Sequence, residues 1–196
     1  MGNVAATMFV ANVSTWILTG AMAVNFIAGQ RENTSIPIIQ LPDIANILWK
    51  SKCHRYRSWG QDTITINRSV LDEIETTIGG YCDESGGILG GPTDTYISNY
   101  VFDCVGNSDT YVPSVVLLNR ALEDWADSGV CFAGIVHSHK DRSKLSYIDI
   151  SYARKVLSVN MIPSMNMFLY VLSEKKLYCF RISETEVSPV EVIVDI

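Results

Sequence analysis

A short apolar run that ends in two histidines limits the possible folds of this chain most strongly. Residues 130–136 form a continuous apolar segment that passes directly into His137-Ser138-His139. The segment is too short for an ordinary buried helix and suits a strand that is covered on both faces. Such a strand belongs in the interior of a sheet, so other segments must supply helices or strands on either side of it.

The segments around this run alternate between helical and extended patterns. Helices are predicted over residues 69–78, 112–127 (with Pro113 in the first turn and Gly129 as C-cap) and 146–159. Strands are predicted over residues 63–67, 84–91, 96–105, 130–136, 165–172, 177–182 and 190–194. This order predicts an α+β fold, in which one mixed sheet is sandwiched by helices.

The first 45 residues differ in character from the rest. Residues 1–30 carry no charged side chain and place apolar residues such as Phe9, Val13 and Ile17 at helical spacing. The stretch has the length of a membrane span, but polar residues interrupt it and no basic cluster flanks it. We expect it to be buried against the domain or against a partner chain, as in an oligomer, and a membrane anchor or a signal peptide stays as an alternative.

Residues 31–43 contain two prolines and indicate a connector. We therefore predict a hydrophobic N-terminal extension and connector over residues 1–45, and a catalytic domain over residues 46–196.

Charge and cysteine content narrow the classes of partner and compartment. The net charge is −6, which does not indicate a nucleic-acid surface. The five cysteines are odd in number, widely spaced and form no Cys-x-x-Cys pair, which argues against a disulfide framework or a zinc ribbon. We expect a reducing, cytoplasmic location.

Two of the three histidines, His137 and His139, lie at the end of the apolar strand. Side chains at positions i and i+2 of a strand point to the same face, so the two imidazoles can chelate one ion. Further along, Ser146-x-x-Asp149 predicts a helix start that carries a carboxylate in its first turn. Two nitrogen ligands and one oxygen ligand suit Zn²⁺ with a water at the fourth position. Taken alone, Ser146-x-x-Asp149 is better explained as a helix capping box without any metal.

A zinc hydrolase also needs a base that takes a proton from water. Glu84 is the best-placed carboxylate, because Gly86 and Gly87 after it leave room for a substrate or a facing strand. A turn that leads into a strand explains the same residues, and spacing alone does not bring Glu84 to the histidines.

Taken together, E-x-G-G-x-L-x-G from Glu84, the H-S-H strand end and the S-x-x-D helix start resemble the JAMM (MPN-plus, or JAB) metallopeptidase family over residues 63–196. The resemblance implies an MPN/JAB-like, cytidine-deaminase-like fold. It also implies zinc on His137, His139 and Asp149, with Glu84 as general acid/base and Ser146 as a residue that stabilises the oxyanion. Family members cleave peptide or isopeptide bonds at the C-terminal tail of ubiquitin or ubiquitin-like proteins.

The resemblance further implies a short bacterial, deubiquitinase-like member, whose partners would be a ubiquitin-like protein or its conjugates and the conjugation enzymes, in some cases in antiviral defence. Two departures from the family pattern lie in the loop between His139 and Ser146. In the family this loop is usually one residue longer and begins with proline, whereas Lys140 stands here. Asp141 in this loop is a second candidate ligand, but a carboxylate fixed in a helical turn is better held.

Two other functions fit parts of the sequence. A non-catalytic MPN scaffold would bind partners without turnover, although such proteins typically lack one or more metal ligands and this chain retains them all. A cysteine hydrolase would use Cys82 with His54 as base, without supporting spacing. For the peptidase, substrate contacts are predicted in residues 107–113 and 140–144, beside the metal.

Overall fold

The computed structural model describes residues 38–41, 63–106 and 110–195. The helices in these ranges are α1 (Arg68–Thr76), α2 (Val115–Ser128) and α3 (Tyr147–Asn160), and a 3-10 turn spans Ile78–Gly80. The strands are β1 (Thr63–Asn67), β2 (Ser85–Gly91), β3 (Tyr96–Ile97), β4 (Asn99–Val105), β5 (Cys131–His139), β6 (Ser164–Val171), β7 (Lys176–Ser183) and β8 (Val187–Asp195). The predicted order of elements is confirmed.

All eight strands belong to one sheet with the order β3-β1-β8-β7-β6-β5-β2-β4. Strand β1 is parallel to β3 and β8, and β5 is parallel to β6, whereas the other neighbours are antiparallel. The sheet is therefore mixed, as predicted.

Helices cover the central strands on both faces. Every residue of β5 and of β6 is buried. Phe168 and Tyr170 of β6 join the core cluster that includes Ile74 of α1, while Met167 and Leu169, of the opposite parity, are also buried. Because successive side chains of a strand point to opposite faces, both faces of β6 are covered. The α+β sandwich expected from the apolar run is confirmed.

The topology brings three segments to one end of the sheet. Helix α3 connects the parallel strands β5 and β6, so its first turn follows the C-terminal end of β5. Strand β2 is antiparallel to β5 and pairs Gly86 with His137, so β2 begins where β5 ends. The residue before β2, the end of β5 and the start of α3 therefore meet.

One local detail differs from the sequence prediction. Helix α2 begins at Val115, so Pro113 precedes the N-cap Ser114 and lies outside the first turn. The two histidines form the end of β5, as predicted. The C-cap at Gly129 is confirmed, with a left-handed φ of 73°.

Residues 38–41 of the predicted connector pack against the domain. Ile39 and Leu41 are buried. The Asn160 side chain donates to the Ile39 carbonyl at 3.0 Å and accepts from the Leu41 amide at 2.6 Å. The predicted boundary at residue 45, and the alternatives for residues 1–30, lie outside the described residues. No helix in the described ranges is long and apolar enough to cross a membrane.

Candidate metal centre

The side chains of His137, His139 and Asp149 converge on one point. The two Nε2 atoms are 3.2 Å apart, Asp149 Oδ1 lies 3.4 Å from His137 Nε2, and Asp149 Oδ2 lies 3.4 Å from His139 Nε2. The two rings meet edge to face, with 4.9 Å between their centroids. The end of β5 and the first turn of α3 thus offer three possible ligand atoms at the same end of the sheet.

These distances fit a tetrahedral zinc ion. Zinc binds histidine nitrogen at about 2.0–2.1 Å and carboxylate oxygen at about 2.0–2.2 Å, so neighbouring ligand atoms of a tetrahedron lie about 3.3–3.5 Å apart. The two Nε2 atoms, 3.2 Å apart, are close to that edge length, and each lies 3.4 Å from one of the two Asp149 oxygens. One ligand atom from each of the three residues lies within 4.8 Å of the other two. Two nitrogen atoms and one oxygen atom leave one of the four positions for a water molecule.

Asp149 is part of a capping box and of the ligand cluster at the same time. Its Oδ2 accepts from the Ser146 backbone N–H at 2.6 Å, and its own backbone N–H donates to Ser146 Oγ at 3.2 Å. The carboxylate also reaches both histidines. The two explanations of Ser146-x-x-Asp149 are therefore compatible, since the capping box holds the carboxylate where the histidines need it.

The local charges suit a site that binds a cation. Burial opposes the ionised form of Asp149, but hydrogen bonds from both histidines and from the Ser146 backbone hold the pKa of Asp149 well below its usual range. Burial also opposes the charged form of His139, yet its hydrogen bond to Asp149 and the charges of Asp149 and Glu84 raise the pKa of His139. Binding of a metal ion would therefore compete with protonation of His139.

Glu84, the residue before β2, lies beside the cluster. Its Oε1 is 3.9 Å from His139 Nε2, while its Oε2 accepts from the Tyr111 backbone N–H at 3.2 Å. The Glu84 carbonyl accepts from the Gly106 N–H at 2.6 Å. The structure thus brings all the predicted site residues to one end of the sheet, where Ser146 serves as the N-cap of α3.

Ser138, between the two histidines, points to the opposite face of β5 and was not predicted to have a role. Its Oγ, which is fully buried, accepts from the Ser85 backbone N–H at 3.1 Å. This hydrogen bond ties the residue next to Glu84 directly to the histidine strand. Its position between two histidines on one strand indicates that its side chain points to the opposite face, which is the sequence signal for this contact.

The glycines after Glu84 leave space for the protein itself. A Cβ on Gly86 would lie 2.4 Å from Tyr111 Cε1, and a Cβ on Gly87 would lie 2.1 Å from the Val101 carbonyl oxygen of β4. The facing strand expected beside Gly87 is confirmed. At Gly86 the space is filled by the Tyr111 ring.

The carboxylates of the site are more exposed to solvent than the histidines. The side chains of His137 and His139 are 5% and 3% exposed, whereas those of Asp149 and Glu84 are 16% and 13% exposed. Asp141, the second candidate ligand, is exposed and lies outside the cluster of possible metal ligands. The shortened loop therefore still delivers Asp149 to the histidines.

The other predicted positions are only partly described. Tyr111 belongs to the segment expected to contact substrate, and residues 107–109 of that segment lie outside the described ranges. Cys82 is exposed, and its suggested partner His54 lies outside the described ranges too.

Solved structures with a similar fold exist at low sequence identity. A solution structure of a protein from Desulfitobacterium hafniense is 18% identical, has a TM-score of 0.55, and is matched over 67% of this chain and 92% of its own. A JAB1/MPN domain protein from Archaeoglobus fulgidus is 19% identical, with a TM-score of 0.43 and 68% and 98% coverage. A structure described as a JAMM metalloprotease-like zinc site in the proteasome and signalosome is 17% identical, with a TM-score of 0.42 and 68% and 99% coverage.

No protein-family model matches the chain, and no curated protein matches it. The likeness in fold rests on the first of the three structures, and at these identities it concerns the fold alone.

Proposed function

We propose that this protein is a zinc-dependent metallopeptidase of the JAMM kind. The observation that carries the proposal is the cluster of His137, His139 and Asp149, whose possible ligand atoms all lie within 4.8 Å of one another beside the Glu84 carboxylate. A buried cluster with one open position and an adjacent base suits hydrolysis better than a purely structural metal site, which normally has four protein ligands.

His137, His139 and Asp149 would hold the ion, and Glu84 would move the proton. Zinc bound there supplies a Lewis acid that polarises the scissile carbonyl and lowers the pKa of a water molecule to about 7. Glu84 accepts the proton of the attacking water as the new carbon–oxygen bond forms. It then delivers that proton to the leaving nitrogen as the carbon–nitrogen bond breaks.

Ser146 would assist at the oxyanion. Its oxygen accepts from the Asp149 N–H, which uses a lone pair and leaves the hydroxyl proton available. A donated hydrogen bond stabilises negative charge that develops on the carbonyl oxygen.

The substrate we propose is the C-terminal tail of a ubiquitin-like protein, joined to a following peptide or to a lysine side chain. The protein would act in the cytoplasm of a bacterium, beside ubiquitin-like conjugation enzymes and in some settings in antiviral defence. The motif set of Glu84, His137-x-His139 and Ser146-x-x-Asp149 supports this substrate class.

Metal content and cleavage, measured on the same preparation, test the proposal. We expect one zinc per chain and cleavage of ubiquitin-like fusion tails that a chelator abolishes and added zinc restores. A non-catalytic scaffold would cleave nothing with or without zinc. Linear and lysine-linked tails, tested side by side, separate peptidase from isopeptidase activity.

A variant of one histidine tests the ligand set. His139→Ala should remove zinc and activity, because two protein ligands hold the ion too weakly. His54→Ala, which removes the third histidine of the chain, is the matched control and should retain zinc. Full zinc occupancy in His139→Ala would refute the assignment of the ligands.

A further inference from the structure

Glu84 is held from the side opposite the histidines, and the residues that hold it have no role in the mechanism above. Its Oε2 accepts from the Tyr111 backbone N–H at 3.2 Å. Only the other oxygen, Oε1, faces His139 Nε2. The direction of the carboxylate therefore depends on where the Tyr111 backbone lies.

The Tyr111 ring is fixed against the strand that follows Glu84. The ring lies directly against Gly86 of β2, since a Cβ there would come within 2.4 Å of Cε1 and 2.6 Å of Cζ. Only glycine gives a ring this approach to a strand backbone. The ring therefore lies over the start of β2, at the residue two positions after Glu84.

The hydroxyl of the same ring is fixed by Asp103. Tyr111 Oη donates to Asp103 Oδ2 at 2.7 Å, and the Ser114 N–H donates to the same oxygen, also at 2.7 Å. Burial and the charge of Asp103 raise the pKa of Tyr111, so its hydroxyl stays protonated and remains the donor. One carboxylate thus holds both the side chain and the following backbone of this segment.

A β-bulge aims Asp103 at Tyr111. Gly86 pairs with Cys104 and Gly87 pairs with Phe102, which leaves Asp103 as the extra residue of β4. A bulge turns a side chain away from the direction that regular pairing would give it, and bulges are enriched next to active sites. The bulge lies opposite the glycine that accommodates the Tyr111 ring.

We propose that Tyr111 and Asp103 are positioning residues, which hold the Glu84 carboxylate towards the metal centre. Asp103 anchors the Tyr111 hydroxyl, the ring rests on Gly86, and the Tyr111 amide then holds Glu84 Oε2. The proposal rests on the proposed function of Glu84 as the base. It assigns two residues outside the ligand set to the orientation of that base.

The contact itself can be tested without any substrate. In protein labelled with ¹⁵N-tyrosine, the Tyr111 amide signal is identified by its absence in Tyr111→Phe. We expect Glu84→Ala to shift this amide proton upfield and to speed its exchange with solvent, because the carboxylate acceptor is gone. We expect Asp103→Ala to produce the same two changes. An unchanged Tyr111 amide in either variant would overturn the proposal.

A conservative variant and a matched control complete this arm. Tyr111→Phe keeps the ring on Gly86 and removes only the hydroxyl, so its amide, followed with ¹⁵N-phenylalanine, should exchange faster than the wild-type amide. If Asp103→Ala fails to fold, Tyr111→Phe still tests the hydrogen bond between the Tyr111 hydroxyl and Asp103. Tyr96→Phe removes another tyrosine–aspartate hydrogen bond, to Asp195 at the far edge of the sheet. It should leave the Tyr111 signal where it is.

Kinetics test whether the positioning matters to the reaction. Tyr111→Ala should lower kcat by about 10- to 100-fold, since a small misplacement of a reacting group costs that much, while KM and zinc content stay near wild type. In a Glu84→Gln background the same change should have almost no further effect, because Tyr111 acts through Glu84. Equal losses in both backgrounds would show a general structural role and overturn the proposal.

The two arms separate this inference from the proposed function. An intact contact between Glu84 and Tyr111 in a protein that binds zinc but cleaves nothing would refute the proposed function, and the base-positioning role with it. Cleavage that requires Glu84 but is indifferent to Tyr111→Ala would refute the positioning role alone.

Discussion

The two carboxylate oxygens of Glu84 have different neighbours. Oε1 faces the histidines, and Oε2 is held by a backbone amide. A base held at one oxygen keeps the other in a fixed direction, which reduces the reorganisation needed when the proton moves. Substitutions of single residues can therefore separate an effect on rate from an effect on metal binding.

Glu84→Gln should keep zinc and lose activity. The amide has nearly the shape of the carboxylate but cannot accept a proton, so turnover should fall by roughly 10²-fold or more. Zinc content and kcat, measured together, check this. Glu123→Gln, at an exposed position of α2, is the matched control. A normal rate in Glu84→Gln would show that another group is the base.

Ser138→Ala should destabilise the fold without removing zinc. The variant leaves the Ser85 N–H buried without its acceptor, which costs about 1–3 kcal/mol. Urea unfolding measures the loss, and Ser158→Ala at an exposed site of α3 should change stability by less than about 0.5 kcal/mol. Equal stability of the two variants would mean that the Ser138–Ser85 hydrogen bond contributes nothing.

At the scale of elements, helix α3 depends on Ser146 for its N-cap. Replacing Ser146 with Gly keeps most of the capping preference, whereas replacing it with Ala costs about 1 kcal/mol. This difference distinguishes a cap from a residue that acts in the reaction.

Ser146→Gly should therefore lower kcat while the melting temperature stays nearly unchanged. The hydroxyl that would donate to the oxyanion is absent, and an oxyanion donor of this kind contributes about 10²–10³-fold. Thermal unfolding and kinetics on the same sample measure both effects. Wild-type turnover in Ser146→Gly would leave Ser146 with a capping role only.

The elements themselves could be predicted because their patterns are local. The apolar run before His137 indicates a strand covered on both sides, and Gly129 marks the end of α2. These signals depend on burial and backbone conformation within a few residues. The convergence of His137, His139 and Asp149 was likewise predictable, since the two histidines share a strand face and Asp149 lies in the first turn of the next helix.

The long-range contacts could not be predicted in the same way. The approach of Glu84 to the histidines depends on the antiparallel pairing of β2 with β5, and no local pattern specifies which strands are neighbours. Asp103 is one acidic residue among others until a bulge in β4 turns it towards Tyr111. Backbone donors such as the Tyr111 amide carry no sequence signal at all.

At the scale of the whole molecule, the four cysteines that the structure describes differ in how deeply the fold buries them. Cys82 is exposed, whereas Cys131 and Cys179 are buried, and burial raises the pKa of the Cys179 thiol. Burial together with Asp103 raises the pKa of Cys104 to about 11. Because the thiolate is the reactive form, these four thiols should differ in reactivity.

Of the four cysteines that the structure describes, an alkylating reagent at neutral pH should therefore modify Cys82 first. Cys104 should react slowly and faster as the pH rises towards 11, and Cys131 and Cys179 should react only on unfolding. Peptide mapping by mass spectrometry assigns each site. Modification of Cys82 should leave cleavage unchanged, and a loss of activity at that stage would favour the cysteine hydrolase.

Asp149 both caps α3 and faces the histidines. A substitution of Asp149 would therefore affect the helix and the histidine cluster together. A lineage that no longer needs hydrolysis can replace His139 with an apolar residue at little cost to the helix. Loss of the aspartate would instead remove a cap contact and lower stability at the same moment. In inactive descendants of such a protein, we expect the aspartate to outlast the histidines, so its presence alone would be a poor sign of activity.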